Sequence, residues 1–532
     1  MFLVEDYSLS HSLESGDAII TTNRLAAVIE IGSTGIRLLA AEILPHGNAA
    51  GSWREADRAG KPVALGWDVF TTGEISRESF LECLSVLQNF RELLAGWGIA
   101  DSDVHVIATS ALRAARNRDV FADRLRQETG FILTIVEGIE ENRLMYLAVR
   151  FALKQDLPLF WRANSMIIDV GGGSTELMLL RRGKMVAAHS LRLGTILIDR
   201  QFRRGAGLSH GRYLRENIRN TAGFLNSEMD LAHVRTFVVS GSDAQVAAMF
   251  LGAEFNEHCR FIERQAFIAF AEKIQNYSSE ECEQKLHIPY GEAQGFIPGI
   301  LVYKLFLEQT DADRIVVPMV SIREGFIEDL ARGVERELQE DFYSQIIAGA
   351  INLGRKYHYD ENHNRHVASL CMILFDALIR EHGMNRRERM MLETAAILHD
   401  IGMFVRSSSH EKHGQYIAAN SEIFGLHQDE LDIISNVIRY HRGPAPSESD
   451  IEYIALEREE RVLVLKMASI LRVADSLDHG HSQHVNSITV EKRGETLALH
   501  AQGVHDLSLE LIGLEEKAGM FQDVFGYKVI LS

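Results

Sequence analysis

Two glycine-rich turns carry the first chemical signal in this chain. Gly32-Ser33-Thr34-Gly35 and Gly171-Gly172-Gly173-Ser174-Thr175 each leave an apolar run, and each has a carboxylate two residues upstream, Glu30 and Asp169. Turns without side-chain bulk expose backbone N–H groups, and such concavities suit phosphate oxygens. A carboxylate at the end of a buried strand beside a phosphate turn is suited to holding Mg2+, directly or through water. Cleaving a phosphoanhydride also needs a base for the attacking water and a cation against the developing charge. Glu140 and Glu141, at the start of a helical pattern, are the candidate bases, and Arg113, just after an apolar run, is the candidate cation. Plainer roles stand beside these. Acids in a first helical turn complement the helix dipole, and a helix arginine can simply be solvated.

The elements that must position these groups follow from hydrophobic period. Residues 26–43 read as strand, tight turn and strand, 79–97 as a helix, 104–108 as a strand, and 111–130 as a helix. Residues 131–138 read as a strand and 140–153 as a helix. The opening pattern then returns: Val28-Ile29-Glu30-Ile31-Gly32 matches Ile167-Ile168-Asp169-Val170-Gly171, 139 residues on. A repeat of this kind predicts two related α/β lobes with a cleft between them. Beyond about residue 340 helical periods dominate, over 366–380, 389–399, 411–419, 429–441 and 459–477. Alternation resumes at the end, with a hairpin over 487–502 and a further strand over 507–513. The expected organisation is a tail (1–23), two lobes (24–143 and 144–335), a helical domain (340–482) and a small α/β end domain (486–532).

Composition bounds these readings. The chain has 532 residues, 46% apolar and 24% charged, which fits several globular domains. With 55 basic against 74 acidic residues its net charge is −19, which excludes a nucleic-acid coat or a basic membrane binder as a whole. One strip departs from that average. Residues 181–220 hold ten Arg and Lys, among them Arg200, Arg203, Arg204, Arg212 and Arg215, against two acids, a local balance of +8. That strip suits a polyanionic chain, or is a solvated basic face. No apolar stretch reaches the ~18 residues of a membrane span, and the acidic start does not read as a signal peptide. Cys83, Cys259, Cys282 and Cys371 lie far apart and read as reduced thiols of a cytoplasmic protein.

Several segments together carry a resemblance. VIATSALRAARN, VEGIEENRLMYLAV, MIIDVGGGSTELMLL, HSLRLGT and GFIPGILVYKLF with SIREGFIEDL occur in this order. They resemble the exopolyphosphatase / guanosine pentaphosphate phosphohydrolase (Ppx/GppA) family. The resemblance implies an actin-like, ribonuclease-H-like pair of lobes with the active site between them. It implies release of the terminal phosphate from inorganic polyphosphate or from pppGpp with Mg2+ (or Mn2+), and a homodimer with a long basic channel. Position by position, the catalytic glutamate of its EExR motif falls on Glu141, with Glu140 as the neighbour and second choice. Its phosphate-binding arginine falls on Arg113, with Thr109 at the head of that motif, and its metal-associated aspartate on Asp169. Two loops depart from the pattern. The usual Asp-x-Gly-Ser-Asn reads Glu30-Ile31-Gly32-Ser33-Thr34, and the usual Ala-Ser-Gly-Thr reads Ser240-Gly241-Ser242-Asp243. Gly241 and Ser242 are expected at the phosphate, while Asp243 would repel a polyanion unless it turns away. These departures keep open a nucleotide-sensing protein that binds without turnover.

Nine of the 22 histidines fall within the 84 residues from His358 to His441. Helical bundles build metal sites from inward-facing His and Asp. The order His366, His399-Asp400, Asp475 resembles the HD metal-dependent phosphohydrolases, and His413 and His441 resemble the histidines that hold a second metal in some of them. His358, His363, His382, His410 and His427 are expected on the surface. A second divalent metal site, and even a second phosphohydrolase centre, are the expectations here.

Overall fold

The first copy of the repeat builds a five-stranded sheet of order β3-β2-β1-β4-β5. Its strands are β1 (Arg24–Ile31), β2 (Gly35–Ile43), β3 (Trp53–Pro62), β4 (Val104–Ala108) and β5 (Leu133–Ile135). In this computed structural model, residues 23–44, 52–154, 162–204, 210–288, 290–332, 336–502 and 506–532 are described. Strands β1 and β2 are antiparallel, and β4 and β5 run parallel to β1. Ala26, Ala27, Val28 and Ile29 of β1 are fully buried. A central strand covered on both faces reads as such a continuous apolar run.

The second copy repeats the topology. β6 (Asn164–Val170), β7 (Thr175–Arg181), β8 (Lys184–Leu191), β9 (Val234–Ser240) and β12 (Arg314–Pro318) stand in the order β8-β7-β6-β9-β12. The edge strands β11 (Cys259–Glu263) and β10 (Ala253–Asn256) extend that sheet. Again the first two strands form an antiparallel hairpin, and the fourth and fifth are parallel to the first. The same strand order twice is the pair of related lobes that the repeat predicts, in the actin-like arrangement that the resemblance implies.

Each lobe lends a helix to the other. The helix Gly138–Leu153 follows β5 of the first sheet yet packs on β7 and β8 of the second. The helix Ile322–Arg332 follows β12 of the second sheet yet packs on β1, β2 and β3 of the first. The two helices lie against each other so closely that a Cβ at Gly325 would meet the Leu144 carbonyl oxygen at 1.9 Å. The expected division at 143/144 therefore falls inside a shared helix. The expected helix 111–130 is likewise split, into Ser110–Ala114 and Arg118–Thr129.

A second compact unit runs from Phe342 to Ser532. The five expected helices form as Glu361–Ala377, Arg386–Leu398, His410–Ala419, Gln428–Arg439 and Arg458–Ser476. The end segment adds the strands β13 (Ser487–Arg493), β14 (Thr496–Gln502) and β15 (Lys528–Leu531). Ile488, Leu497, Leu499 and Phe521 join the same core as the helices, so the end segment shares that core with the helical part. The expected strand 507–513 is instead part of the helix Ser508–Lys517. Its alternate Leu509 and Leu511 are exposed, whereas Glu510, Gly513 and Leu514 are buried at helical spacing. Gly513 permits this, since a Cβ there would lie 3.2 Å from the Ser476 carbonyl oxygen. All four cysteines are buried, and none is in a disulfide. Among the described residues no helix is long and apolar enough to cross a membrane, and residues 1–22 of the expected tail lie outside the described residues.

Candidate active site

Two adjacent first-turn acids of the helix Gly138–Leu153 part ways, because neighbours on a helix point about 100° apart. Glu140 accepts two bonds from the Arg143 guanidinium, both 2.7 Å, and Arg143 also reaches Asp329 at 2.9 and 2.8 Å. Glu141 turns the other way, to Arg113, whose Nη1 lies 2.5 Å from Glu141 Oε1 and donates to the Val136 carbonyl at 2.5 Å. Arg113 sits on the short helix Ser110–Ala114, which Thr109 opens directly after β4. Glu140 is thus committed to an ion pair, and Glu141 is the acid that shares the cleft with other carboxylates.

Those carboxylates crowd. Burial pushes the Glu141 carboxyl up to about 7; Arg113 pulls it down, and Glu30 and Glu137 add to the rise. Burial, then the charges of Glu141 and Glu30, hold Asp169 at about 7 as well. Glu176, only 3% exposed, is raised well above the ordinary range by burial and by Glu141. Ser190 donates to its Oε1 at 2.8 Å and Asn142 to its Oε2 at 3.2 Å. Glu30 lies 3.2 Å from the Arg323 guanidinium. A set of buried and half-buried carboxylates raised by burial and by mutual repulsion fits a hard divalent cation, which would relieve that repulsion.

The motifs do not single out Glu176, although the sequence carries a signal for it. In the β6–β7 hairpin Asp169 pairs with Glu176, just as Glu30 pairs with Arg37 across β1–β2. Residues directly opposite in an antiparallel pair share one face. Counting equal steps either side of the glycine turn therefore puts Glu176 beside Asp169.

The two turns close alike and meet. Gly32 N–H donates to the Gly35 carbonyl and Gly171 N–H to the Ser174 carbonyl, each at 2.9 Å. A Cβ on Gly172 would lie 2.6 Å from Ser33 Cβ, and one on Gly173 would lie 2.1 Å from the Phe70 ring. Ser33 Oγ is 3.2 Å from Ser110 Oγ, which links the first turn to the Arg113 helix. The Thr34 hydroxyl accepts a long contact from Arg37, at 3.5 Å, and buried Thr175 donates its hydroxyl to the Leu193 carbonyl at 2.5 Å. The third loop comes in beside Asp169, which pairs with Ser240 across β6 and β9.

Gly241 has φ +105°, and a Cβ there would sit 2.8 Å from the Tyr303 hydroxyl and 2.9 Å from Asp169 Oδ1. Gly241→Ala is expected to cost about 1–3 kcal/mol, read by urea unfolding, and to lower turnover by displacing Asp169. Ser242 begins the next helix, Ser242–Leu251. Asp243 turns toward the helix Tyr290–Leu307, where a Cβ on Gly299 would be 2.2 Å from its Oδ2.

Of the basic strip, Arg200 donates to the Phe70 carbonyl and Arg215 is exposed on the helix His210–Asn226. The side chains of Arg203, Arg204 and Arg212 lie outside the described residues.

In the second unit His399, Asp400, His441 and Asp475 come together. The cluster takes His363 and His410, expected on the surface, in place of His366 and His413, and it buries them at 1% and 4% exposure. Each pair is three residues apart on one helix, so both members lie on nearly one face and period alone does not choose between them. His382 is also buried, its Nε2 bonded to the Phe375 carbonyl at 2.8 Å.

Comparison with known proteins gives this geometry a family. The model described as the Ppx/GppA phosphatase family matches residues 50–333, and that of Ppx/GppA phosphatase domain III matches residues 347–516. A guanosine-5'-triphosphate,3'-diphosphate pyrophosphatase of Vibrio atlanticus is 22% identical over 94% of this chain and 97% of its own. One of Pseudoalteromonas atlantica is 23% identical over 85% of each. The crystal structure of an exopolyphosphatase from Cytophaga hutchinsonii covers 59% of this chain and 99% of its own at 18% identity, with a TM-score of 0.52, a likeness of fold. Enzymes of this family are divalent-metal dependent. The first model alone spans more than half of the sequence, and the chain belongs to the Ppx/GppA phosphatase family, whose members hydrolyse phosphoanhydride bonds.

Proposed function

We propose that the protein is an exopolyphosphatase that removes the terminal phosphate of inorganic polyphosphate. The observation that carries this reading is the part-buried Arg113–Glu141 pair lying among Glu30, Asp169 and Glu176, beneath turns from both lobes. The end phosphate would rest against Gly32–Gly35 and Gly171–Thr175, with the Arg113 guanidinium on its non-bridging oxygens. Glu141 would take the proton of a water in line with the bridging oxygen. As the new P–O bond forms, the bridging P–O bond breaks, giving orthophosphate and a chain one phosphate shorter. Asp169, with Glu30 and Glu176, would hold Mg2+ or Mn2+, which supplies positive charge to the phosphate oxygens. Arg200 and Arg215, with the rest of the basic strip, would guide the remaining chain.

The alternative substrate is pppGpp, whose 5' terminal phosphate is joined by the same kind of bond. The full-length likeness to two proteins named for that reaction supports it. A cytoplasmic homodimer completes the reading, and four buried cysteines outside any disulfide fit a reducing compartment. The deciding assay offers long-chain polyphosphate and pppGpp, separately and in competition, to one preparation in Mg2+ and in Mn2+. A kcat/KM at least tenfold higher for polyphosphate is the expected result. The opposite preference selects pppGpp, and binding without phosphate release from either ends both enzymatic readings.

A further inference from the structure

One guanidinium at the cleft is only partly engaged. Arg323 stands in the first turn of the helix Ile322–Arg332. Its Nε lies 3.2 Å from Glu30 Oε2 and donates to Ser321 Oγ at 3.0 Å, and the Arg323 and Glu30 side chains are 13% and 14% exposed. The two outer amino groups of a guanidinium carry its other four N–H donors. Among the described residues neither outer group of Arg323 makes a hydrogen bond. Its neighbours differ. Arg143 forks onto Glu140 and Asp329, and Arg113 Nη1 is held between Val136 and Glu141. A largely buried guanidinium with its fork unengaged matches a phosphate, which accepts two parallel N–H bonds at once.

The inner end of this arginine is fixed. Ser321 Oγ accepts from Arg323 Nε and, at 3.3 Å, from the Arg323 backbone N–H, and it donates to Glu324 Oε2 at 2.8 Å. Glu324 is buried and also accepts from the Ser321 N–H at 2.7 Å, while Arg58 of β3 stands 3.6 Å from its other oxygen. Two residues beyond Arg323, Gly325 lies against the Leu144 carbonyl, one turn beyond Glu141. Arg323 and the candidate base are thus carried by two helices locked together. Glu30 Oε1 stays beside its own glycine turn, where a Cβ on Gly32 would lie 3.4 Å from it. The charge of Glu30 acts on Glu141 and Asp169. Glu30 therefore borders the base, and Arg323 stands one contact further out.

We propose that Arg323 binds the phosphate next to the terminal one, and that Ser321 positions it. The inference rests on the polyphosphatase reading above. Arg113 faces the phosphoryl group that is transferred, and Arg323 faces the group that leaves. When the bridging P–O bond breaks, its electron pair stays on the leaving chain. A guanidinium there meets charge that grows in the transition state. Ser321 touches no substrate and acts through Arg323.

The test compares two ligands on the full-length protein in Mg2+: orthophosphate, and methylenediphosphonate, whose P–C–P bridge resists hydrolysis and supplies a second phosphorus group. Arg323→Met should weaken methylenediphosphonate binding about 10–100-fold, the range of a lost charged hydrogen bond, and orthophosphate binding less than about threefold. Its kcat on tripolyphosphate should fall about 10²–10³-fold, and Arg323→Lys should recover only part. Ser321→Ala should weaken methylenediphosphonate alone, and Ser321→Thr, which keeps the hydroxyl, should restore it. Circular dichroism checks each fold. A folded Arg323→Met that binds methylenediphosphonate like the wild type, or loses both ligands equally, overturns the proposal. So does a wild type that binds methylenediphosphonate no more tightly than orthophosphate. If Arg323→Met does not fold, Arg323→Lys and the Ser321 pair decide, and wild-type binding by all three overturns it. Failure of the polyphosphatase reading shows separately, as no phosphate release from long-chain polyphosphate by the same wild-type preparation.

Discussion

Glu141→Gln is expected to lower kcat for orthophosphate release by about 10²–10⁴-fold, the range of a positioned general base, while KM moves only a few-fold. Glutamine preserves the volume and an oxygen that accepts from Arg113, so the 2.5 Å contact keeps a partner. What it removes is the proton acceptor. It also removes the negative charge that raises Asp169 and Glu176. The variant should therefore fold at least as well as the wild type and bind polyphosphate as tightly or more tightly. Stopped-time phosphate release and equilibrium binding on the same sample separate the two effects. Turnover above a tenth of the wild-type value would remove Glu141 from the chemistry. The carboxamide at Glu140 makes the contrast, since Glu140 faces Arg143 and its loss should appear in stability before it appears in kcat.

The largest effect on stability is expected at Arg143. Its guanidinium forks onto Glu140, 4% exposed, and onto Asp329, 32% exposed. Arg143→Met would leave Glu140 buried without its cation, and breaking a buried pair from one side costs about 3–5 kcal/mol. Most of that cost belongs to Glu140, because water screens Asp329. Arg143→Lys should recover only part of it, since an ammonium cannot serve two carboxylates in the forked geometry. Urea midpoints of the two variants check the order. Equal midpoints for Arg143→Met and the wild type would show that the pair contributes nothing.

Much of the fold is legible in the sequence because a local pattern occurs twice. The match of Val28–Gly32 to Ile167–Gly171 specifies two strands, two glycine turns and two carboxylates, and both hairpins form in equivalent registers. Arg113, Glu141 and Asp169 lie near recognisable turns and helix starts, so their neighbourhood follows from the elements. Where partners are distant in sequence, period is silent. Arg143 finds Asp329 186 residues away, and Glu176 reads as part of an ordinary apolar strand until its pairing with Asp169 is drawn. The choice of His363 over His366 turns on helix rotation, which tertiary packing fixes. The segment 507–513 alternates like a strand, but helix packing at Gly513 overrides that pattern.

The exchange of helices between the lobes also sets an order of events during synthesis. Ser52 and Trp53, at the edge of the first sheet, give their hydrogen bonds to Glu328, both at 2.8 Å. His105 packs against Phe326, the rings tilted by 48° with centroids 5.2 Å apart. A ribosome adding roughly 5–20 residues per second needs some 14–55 s to make the 275 residues between Trp53 and Glu328. Through that interval the first sheet must wait with one face uncovered while the second lobe is translated. The nascent first lobe is consequently the stage at which a chaperone would have most to hold.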